Sequence, residues 1–359
     1  MDAVVLLGGE GTRLRPLTYD TPKQMLPVVD RPLVEHVAEW LALHGVERLV
    51  LSLGYRPDAF VDAYPSGRLA GLELAFAIEP TLLDTAGAVA FAARSAGTKG
   101  RFVVLNGDVL TDIDLSALLR FHLGHGAEAS IALTPVDDPS AFGVVPTGVD
   151  GRVLEFVEKP RAATAPTNNV NAGIYVLEPS VLERVAPGRR SSIERETFPS
   201  LASGGSLFAL AFEAYWLDTG TPEKYVQASL DILGHRRGPR PLPRVPEAAP
   251  GVFVAEGSDA SGNVSPPLYV GRGAVLGRGS EVAASVIGEN VQVGPGAVVR
   301  SSVVMNGACV AAGAVVERAV LGPRAVVGEG ARVVGWSVVR GAAKVEPGAV
   351  LDGARYPEA

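Results

Sequence analysis

Cysteine and lysine are both scarce in this chain. Its 359 residues include one cysteine, Cys309, and five lysines, Lys23, Lys99, Lys159, Lys224 and Lys344, among 32 basic residues. A single thiol excludes a disulfide framework and a cysteine-based zinc site, and suits a reducing compartment, which predicts a cytoplasmic protein. Positive charge is in short supply as well: 39 Asp plus Glu outweigh the basic residues, for a formal net charge of −7. That balance argues against a nucleic-acid polymer as partner and leaves any bound phosphate to a local cluster of cations. No apolar run approaches the ~20 residues needed to span a bilayer, so no membrane partner is expected. The early run AVVLLGG, residues 3–9, has no basic residue before it and reads as a first strand rather than a signal peptide.

What is present divides into two rhythms. The mean hydropathy of +0.23 fits strands buried on both faces. Up to about Leu233, β-rich runs alternate with helical stretches. Strands are expected at Ala3–Leu7, Arg48–Leu53, Leu72–Ile78 and Phe102–Leu105. Helices are expected from Pro32 to near Gly45, at Pro57–Ala63 and at Thr85–Ala96. This alternation predicts an α/β domain with a mostly parallel, Rossmann-like sheet. Later strands at Ser130–Val136, Val153–Glu158 and Asn171–Leu177 lie closer together and add a mixed portion. Gly234–Gly251, dense in Pro, Arg and Gly, reads as a linker. The expected domains are therefore 1–233, a linker at 234–251, and 252–359.

Beyond the linker, Val270, Ile287, Val304, Leu321 and Val338 stand seventeen residues apart. Within each interval an aliphatic residue returns after six and again after twelve, as in Ile287, Val293, Val299 and then Val304, Val310, Val316. A 6-6-5 recurrence with glycines behind it is the mark of a parallel β-helix with three short strands per coil. This half resembles the left-handed β-helices of hexapeptide-repeat proteins. Some of those are acyltransferases that use a histidine base, but His36, His44, His122, His125 and His235 all precede residue 251. The β-helix is therefore expected to be an assembly module. Its sides, rich in Val and Ala between Gly294 and Val316, predict a homo-oligomer.

The stretch VVLLGGEGTRLRPLTYDTPKQMLP, Val4 to Pro27, runs a strand into Gly8, Gly9 and Gly11, with Arg13, Arg15 and Lys23 close behind. Glycines leave backbone N–H groups open to phosphate, and cations supply the charge. It is neither a Walker loop nor Gly-x-Gly-x-x-Gly. In a chain that otherwise prefers arginine, lysine at TPKQMLP and at FVEKP has a physical use as a compact charge on phosphate.

These segments, with LNGDV, FGVV, NAGIYVLEP and WLDTG in the same order, resemble the sugar-1-phosphate nucleotidyltransferase family over nearly the whole chain. The resemblance implies transfer of a nucleotidyl group from an NTP to a sugar 1-phosphate, with release of pyrophosphate and with Mg2+ as cofactor. It implies that Asp108 and Asp218 hold the metal, that Arg13 grips the leaving pyrophosphate and that Lys23 neutralises charge at the α-phosphate. Leu7, Gly8, Gly9, Gly11 and Thr12 would line the phosphates. Lys159 would meet the sugar phosphate, with Glu158, Asn171 and Gly143 around the sugar. The base would meet the stretch Glu79–Val89, including Glu79, Thr85 and Gly87. Asp84 departs from the family, which usually has glycine there.

Within the family, NAGIYVLEP and SSIERETFP look most like mannose-1-phosphate guanylyltransferases, which implies GTP and mannose 1-phosphate as substrates. A glucose-1-phosphate thymidylyltransferase, a heptose-1-phosphate guanylyltransferase and a non-catalytic subunit that senses sugar nucleotides stand as alternatives. The presence of Arg13, Lys23, Asp108 and Asp218 together favours catalysis.

Overall fold

The structure, a computed structural model, describes residues 1–238 and 243–358. The chain divides into two compact units: residues 1–9 with 34–216, and residues 10–33 with the chain from Leu217 onward. Residues 239–242 of the expected linker lie outside the described residues.

The first unit is built on a mixed sheet. Its centre is Asp2–Leu6, parallel to Arg48–Leu53 on one side and to Phe102–Asn106 on the other, with Leu72–Ile78 parallel beyond Arg48–Leu53. Ala3, Val4, Val5, Leu49, Val50, Leu51, Val103 and Val104 are fully buried, as strands covered on both faces must be. Asn169–Leu177 joins Phe102–Asn106 in the antiparallel sense and continues to Ala129–Pro135, itself parallel to Leu207–Ala211. The helices Asp58–Ala63 and Asp84–Ser95 fall within a residue of their expected bounds. The strand expected at Val153–Glu158 is shorter. Only Val157–Glu158 forms a strand, while Arg152 and Val153 make isolated bridges. Gly143 pairs across from Glu158, and Phe156 packs where a Cβ on Gly143 would fall, 2.6 Å away.

The second unit carries the β-helix. From Val252 onward the paired strands are parallel and stack in three columns. One column runs through Val275–Leu276, Gln292–Val293, Cys309–Val310, Val326–Val327 and Lys344–Val345. Ile287, Val299, Val304, Val310, Val316, Leu321, Val327 and Val333 are fully buried, and together they form the aliphatic ladder that the repeat predicts. Ile287 pairs with Val304 and Val304 with Leu321, but Leu321 pairs with Val339 rather than Val338. The step from Val316 to Val333 is still seventeen residues. The extra residue enters at the corner that follows, where Gly335 and Trp336 both adopt positive φ. The helix Pro222–Leu233 packs on the Asn263–Val270, Glu281–Ile287 and Ala319–Leu321 strands. The outward Val286, Val303 and Val320 are buried as a result. This part of the apolar side is covered by the chain itself.

Among the described residues no helix is long and apolar enough to cross a membrane.

Candidate active site

In the first unit, four parallel strands deliver residues one or two positions past their ends to one edge of the sheet. Gly8 follows Asp2–Leu6, Gly54 follows Arg48–Leu53, Glu79 follows Leu72–Ile78, and Asp108 follows Phe102–Asn106. Carboxyl ends of parallel strands are where open α/β sheets bind ligands. Gly8 and Gly54 approach closely: a Cβ on Gly54 would lie 3.4 Å from Gly8 Cα. Gly9 is exposed, whereas Leu7 is fully buried. The Leu7 and Val5 side chains occupy the space that a Cβ on Gly107 would need, so the turn before Asp108 takes only glycine there.

Glu79 closes the next loop on itself. Its Oε1 accepts from the Ser52 hydroxyl at 3.1 Å and its Oε2 from the Leu83 N–H at 3.1 Å. Each oxygen keeps a further lone pair. The loop presents Leu82, which is 61 % exposed, over Gly54. Asp84 opens the following helix with φ of 61°. That conformation is easiest for glycine and is tolerated by aspartate, which accounts for the departure from the family pattern. Its carboxylate accepts from the Thr85 N–H at 2.8 Å and faces Arg190 at 3.8 Å. Gly87 donates to the Ser191 carbonyl, and a Cβ on it would meet the Arg189 carbonyl at 2.7 Å. Thr85 is tied to the same segment by hydrogen bonds to Glu194 and Ile193.

A second group surrounds Tyr175. Asn171 donates to the Tyr175 hydroxyl at 2.8 Å and accepts from the Gly173 N–H at 2.9 Å, which shapes the register shift between Asn171 and Tyr175. Gly173 has φ of 72°, and a Cβ there would fall 2.6 Å from Asn106 Nδ2. Burial, and then the negative charge of Glu194, Glu158 and Asp108, pushes the Tyr175 phenol well above its usual range. Lys159 adopts φ of 48°, is 60 % exposed, and places Nζ 3.3 Å from Glu158 Oε1. Phe142 packs edge-on against Trp216 at 5.4 Å, and Trp216 donates to the Ala172 carbonyl at 2.9 Å. Gly143 and Glu158 are thus cross-strand partners, with Lys159 next in the chain, and Asn171 is fixed by its bonds to Tyr175 and Gly173.

The second unit holds the remaining charged residues. Gly11, at φ of 62°, sits against Thr18 and Lys23, and the Thr18 hydroxyl donates to the Gly11 carbonyl. Thr12 and Arg13 follow in a short helical turn and are exposed. Lys23 is only 6 % exposed, with Nζ 3.8 Å from Asp218 Oδ1. The same oxygen accepts from the Gly220 N–H at 2.8 Å. Gly220 is buried, and the Arg13 guanidinium lies where its Cβ would be. Arg13, Lys23 and Asp218 are therefore brought together, 205 residues of chain notwithstanding. Arg15 turns away into an ion pair with Glu10 and lies over the Tyr19 ring.

Among the described residues, no group of three or more His, Cys, Asp or Glu side chains is placed to hold a metal ion. An ion here would draw on one or two carboxylates and complete its shell with water and phosphate oxygens. Mg2+ takes such a set, and Asp108 in the first unit and Asp218 in the second each offer a carboxylate of that kind.

The sequence reading passed over Gly54, Leu82, Tyr175, Ser192, Glu194 and Trp216. Glu194 lay within SSIERETFP, used there only as a likeness. An acidic residue close behind two serines, in Ser191-Ser192-Ile193-Glu194, is the signal the sequence offers, and the structure makes Ile193–Thr197 a segment of π-helix.

A parallel α/β sheet with a glycine turn at its carboxyl edge, in a chain that continues into a β-helix, defines the class of an α/β nucleotide-handling fold with a β-helical extension. The family model described as nucleotidyl transferase matches residues 2–235, and one described as the GMPPB C-terminal domain matches residues 264–356. The chain belongs to the nucleotidyl transferase family. It is 38 % identical to a mannose-1-phosphate guanylyltransferase of Mycobacterium tuberculosis over 82 % of each chain. It is 35 % identical to mannose-1-phosphate guanylyltransferase 1 of Arabidopsis thaliana, again over 82 % of each. Among solved structures, HddC from Yersinia pseudotuberculosis complexed with GMP-PN is 31 % identical, with a TM-score of 0.55 over 64 % of this chain and 97 % of that one.

Proposed function

We propose that the chain is a Mg2+-dependent mannose-1-phosphate guanylyltransferase of the cytoplasm. A phosphate oxygen of mannose 1-phosphate attacks the α-phosphorus of GTP. The new O–P bond forms as the bond from that phosphorus to the bridging oxygen breaks, and pyrophosphate leaves with the electron pair. There is little covalent work for side chains in such a transfer, so catalysis is positioning and charge neutralisation. Arg13 holds the pyrophosphate end and Lys23 the α-phosphate. Backbone from Leu7 to Thr12 lines the phosphates, and Lys159 binds the phosphate of the sugar. Glu158, Asn171 and Gly143 meet the sugar, and Glu79, Thr85 and Gly87 shape the base side. Asp108 and Asp218 are the ligands for Mg2+, which when bound supplies positive charge to the phosphate oxygens.

The observation that carries the reaction class is the grouping of Arg13 and the buried Lys23 about Asp218. Guanine and mannose are supported by the relatives, of which eight bear that activity in their names at 35–41 % identity. A catalytic role, rather than a sensing one, is supported by the retention of all four charged residues. We propose also that residues 1–233 act as the transferase domain, 234–251 as a linker and 252–359 as the β-helix through which a homo-oligomer forms. Pyrophosphate release measured for each NTP against a panel of sugar 1-phosphates, with Mg2+, tests the substrates. A higher kcat/KM for dTTP with glucose 1-phosphate than for GTP with mannose 1-phosphate overturns the assignment.

A further inference from the structure

The segment Glu10–Leu33, which carries Arg13 and Lys23, is held by the β-helix and by the helix that packs on it. Arg340, just after the Ser337–Val339 strand of the β-helix, reaches Asp20 with two hydrogen bonds, Nε at 2.8 Å and Nη2 at 2.7 Å. The Arg340 guanidinium also lies 5.9 Å from the centre of the Tyr19 ring, and Arg15 lies 5.0 Å from the same ring. Tyr19 is thus flanked by one cation from its own loop and one from the β-helix. Leu17 comes so close to Gly322 that a Cβ there would lie 2.8 Å from Leu17 Cδ2. At the other end of the segment, Tyr225 donates to the Pro27 carbonyl, and the Val29 N–H donates to the Ser229 hydroxyl at 3.3 Å. Both partners stand on the Pro222–Leu233 helix, which itself rests on the β-helix strands. Arg340 is fixed in turn, since its N–H donates to the Tyr356 carbonyl at 2.8 Å.

The segment has four prolines, three short helical turns and a buried lysine, and its own ladder is confined to the two-residue pairing of Pro27–Val28 with Arg31–Pro32, well past Arg13 and Lys23. Its shape depends on these outside contacts. We infer that Arg340 is a positioning residue: by clamping Asp20 and Tyr19, the β-helix sets the loop that presents Arg13 and Lys23 to the nucleotide phosphates. The inference rests on the phosphate roles proposed for those two residues. It gives the β-helix a part in the transfer reaction distinct from assembly. The Asp20–Arg340 pair is half-exposed, so its contribution to overall stability is small. A small displacement of groups that meet a phosphate, by contrast, is costly in rate.

The test is steady-state kinetics of the full chain with GTP, mannose 1-phosphate and Mg2+, alongside thermal melting. Five variants are compared with the wild type: Arg340→Ala, Arg340→Lys, the exchange Asp20→Arg with Arg340→Asp, Arg13→Ala, and Arg324→Ala as an exposed β-helix control. Arg340→Ala is expected to lower kcat/KM for GTP by about 10- to 100-fold. The KM for mannose 1-phosphate and the melting temperature stay near wild type. Arg340→Lys, which keeps the charge but not the two-point fork, falls between, and the exchange recovers much of the loss. Arg324→Ala matches the wild type. Wild-type kcat/KM for GTP in Arg340→Ala overturns the inference, and so does an equal rise in KM for both substrates or an exchange no better than Arg340→Ala alone. An active Arg13→Ala with unchanged GTP kinetics removes the phosphate role on which the inference stands. No turnover in the wild type is a failure of the substrate assignment, and is seen separately.

Discussion

The Thr85 hydroxyl donates to Glu194 Oε2 at 2.7 Å and accepts from the Ile193 N–H at 2.8 Å. One hydroxyl thereby locks the start of the Asp84–Ser95 helix to a segment more than a hundred residues away. Glu194 Oε2 also accepts from Ser192 at 2.9 Å, so the carboxylate is held from two sides. Valine has nearly the shape of threonine but neither hydrogen bond. Thr85→Val should therefore destabilise the fold by about 1 kcal/mol, the scale of a half-buried hydrogen bond lost. It should also raise the KM for GTP more than that for mannose 1-phosphate. Urea denaturation and paired KM measurements check this, and a variant as stable as the wild type would show that the bond carries little.

Asp108→Asn and Asp218→Asn should each cost turnover by roughly 10²-fold or more, the scale of a central electrostatic contact. The two should differ in stability. Lys23 is almost wholly buried beside Asp218, so Asp218→Asn leaves a buried ammonium with one carboxylate fewer. A lower melting temperature is expected for Asp218→Asn than for Asp108→Asn. Activity within a few-fold of wild type at limiting Mg2+ for either variant identifies the wrong ligand.

Acid should weaken the first unit through His122. The ring is buried, with Nδ1 2.9 Å from the Ser130 hydroxyl and Nε2 3.2 Å from Glu178, which also binds Arg101. Burial outweighs the pull of Glu178 and holds the imidazole below its ordinary 6.5, with Arg101 adding to the depression. The native ring stays neutral while the unfolded one takes up a proton, so the unfolded state binds more protons just below pH 6.5. Stability from this residue is complete above that value and is lost as pH falls toward the native pKa. Melting temperature measured between about pH 7.5 and 5 should fall more steeply for the wild type than for His122→Gln. Parallel curves would mean that the carboxylates alone set the acid limb.

A homo-oligomer through the β-helix would use a narrower apolar surface than the whole of its Val- and Ala-rich sides. Val286, Val303 and Val320 are covered, but Val298 and Val315, paired on the outer side of neighbouring coils, remain half-exposed. Light scattering on the full chain should give at least twice the 37.2 kDa of one copy, and Val298→Glu with Val315→Glu should reduce it. A monomeric wild type at micromolar concentration removes the proposal. An assembly indifferent to both glutamates moves it to another face.

Much of this protein was legible along the chain because it is written in periods. Alternation of β-rich and helical runs marks a parallel sheet, and the 6-6-5 return of Val, Ile and Leu marks which side chains point inward. Both signals are local, since each follows from the direction of successive Cβ atoms. Gly8 and Asp108 could be picked out because each lies just past a strand, and Glu79 because its stretch resembles the family's base-recognition segment. Local signals ran out where geometry depended on a neighbour: at Val153, which makes a bridge instead of a strand, and at Val338, displaced from its rung by one extra corner residue.

The residues of the chain determined the two architectures, the placing of glycines after strands, and the set of charges available to meet phosphate. Tertiary structure alone decided which of them meet. Thr85 finds Glu194, Lys23 finds Asp218 and Asp20 finds Arg340 across 109, 195 and 320 positions. No spacing rule links such residues, because the separation is closed by packed sheets, helices and coils whose combined geometry sets the final ångströms. Tertiary structure also gave the loop of Arg13 and Lys23 to the compact unit of the β-helix. An irregular segment takes its place from the contacts that satisfy it, and those of Asp20, Leu17 and Pro27 lie on residues from Tyr225 to Arg340.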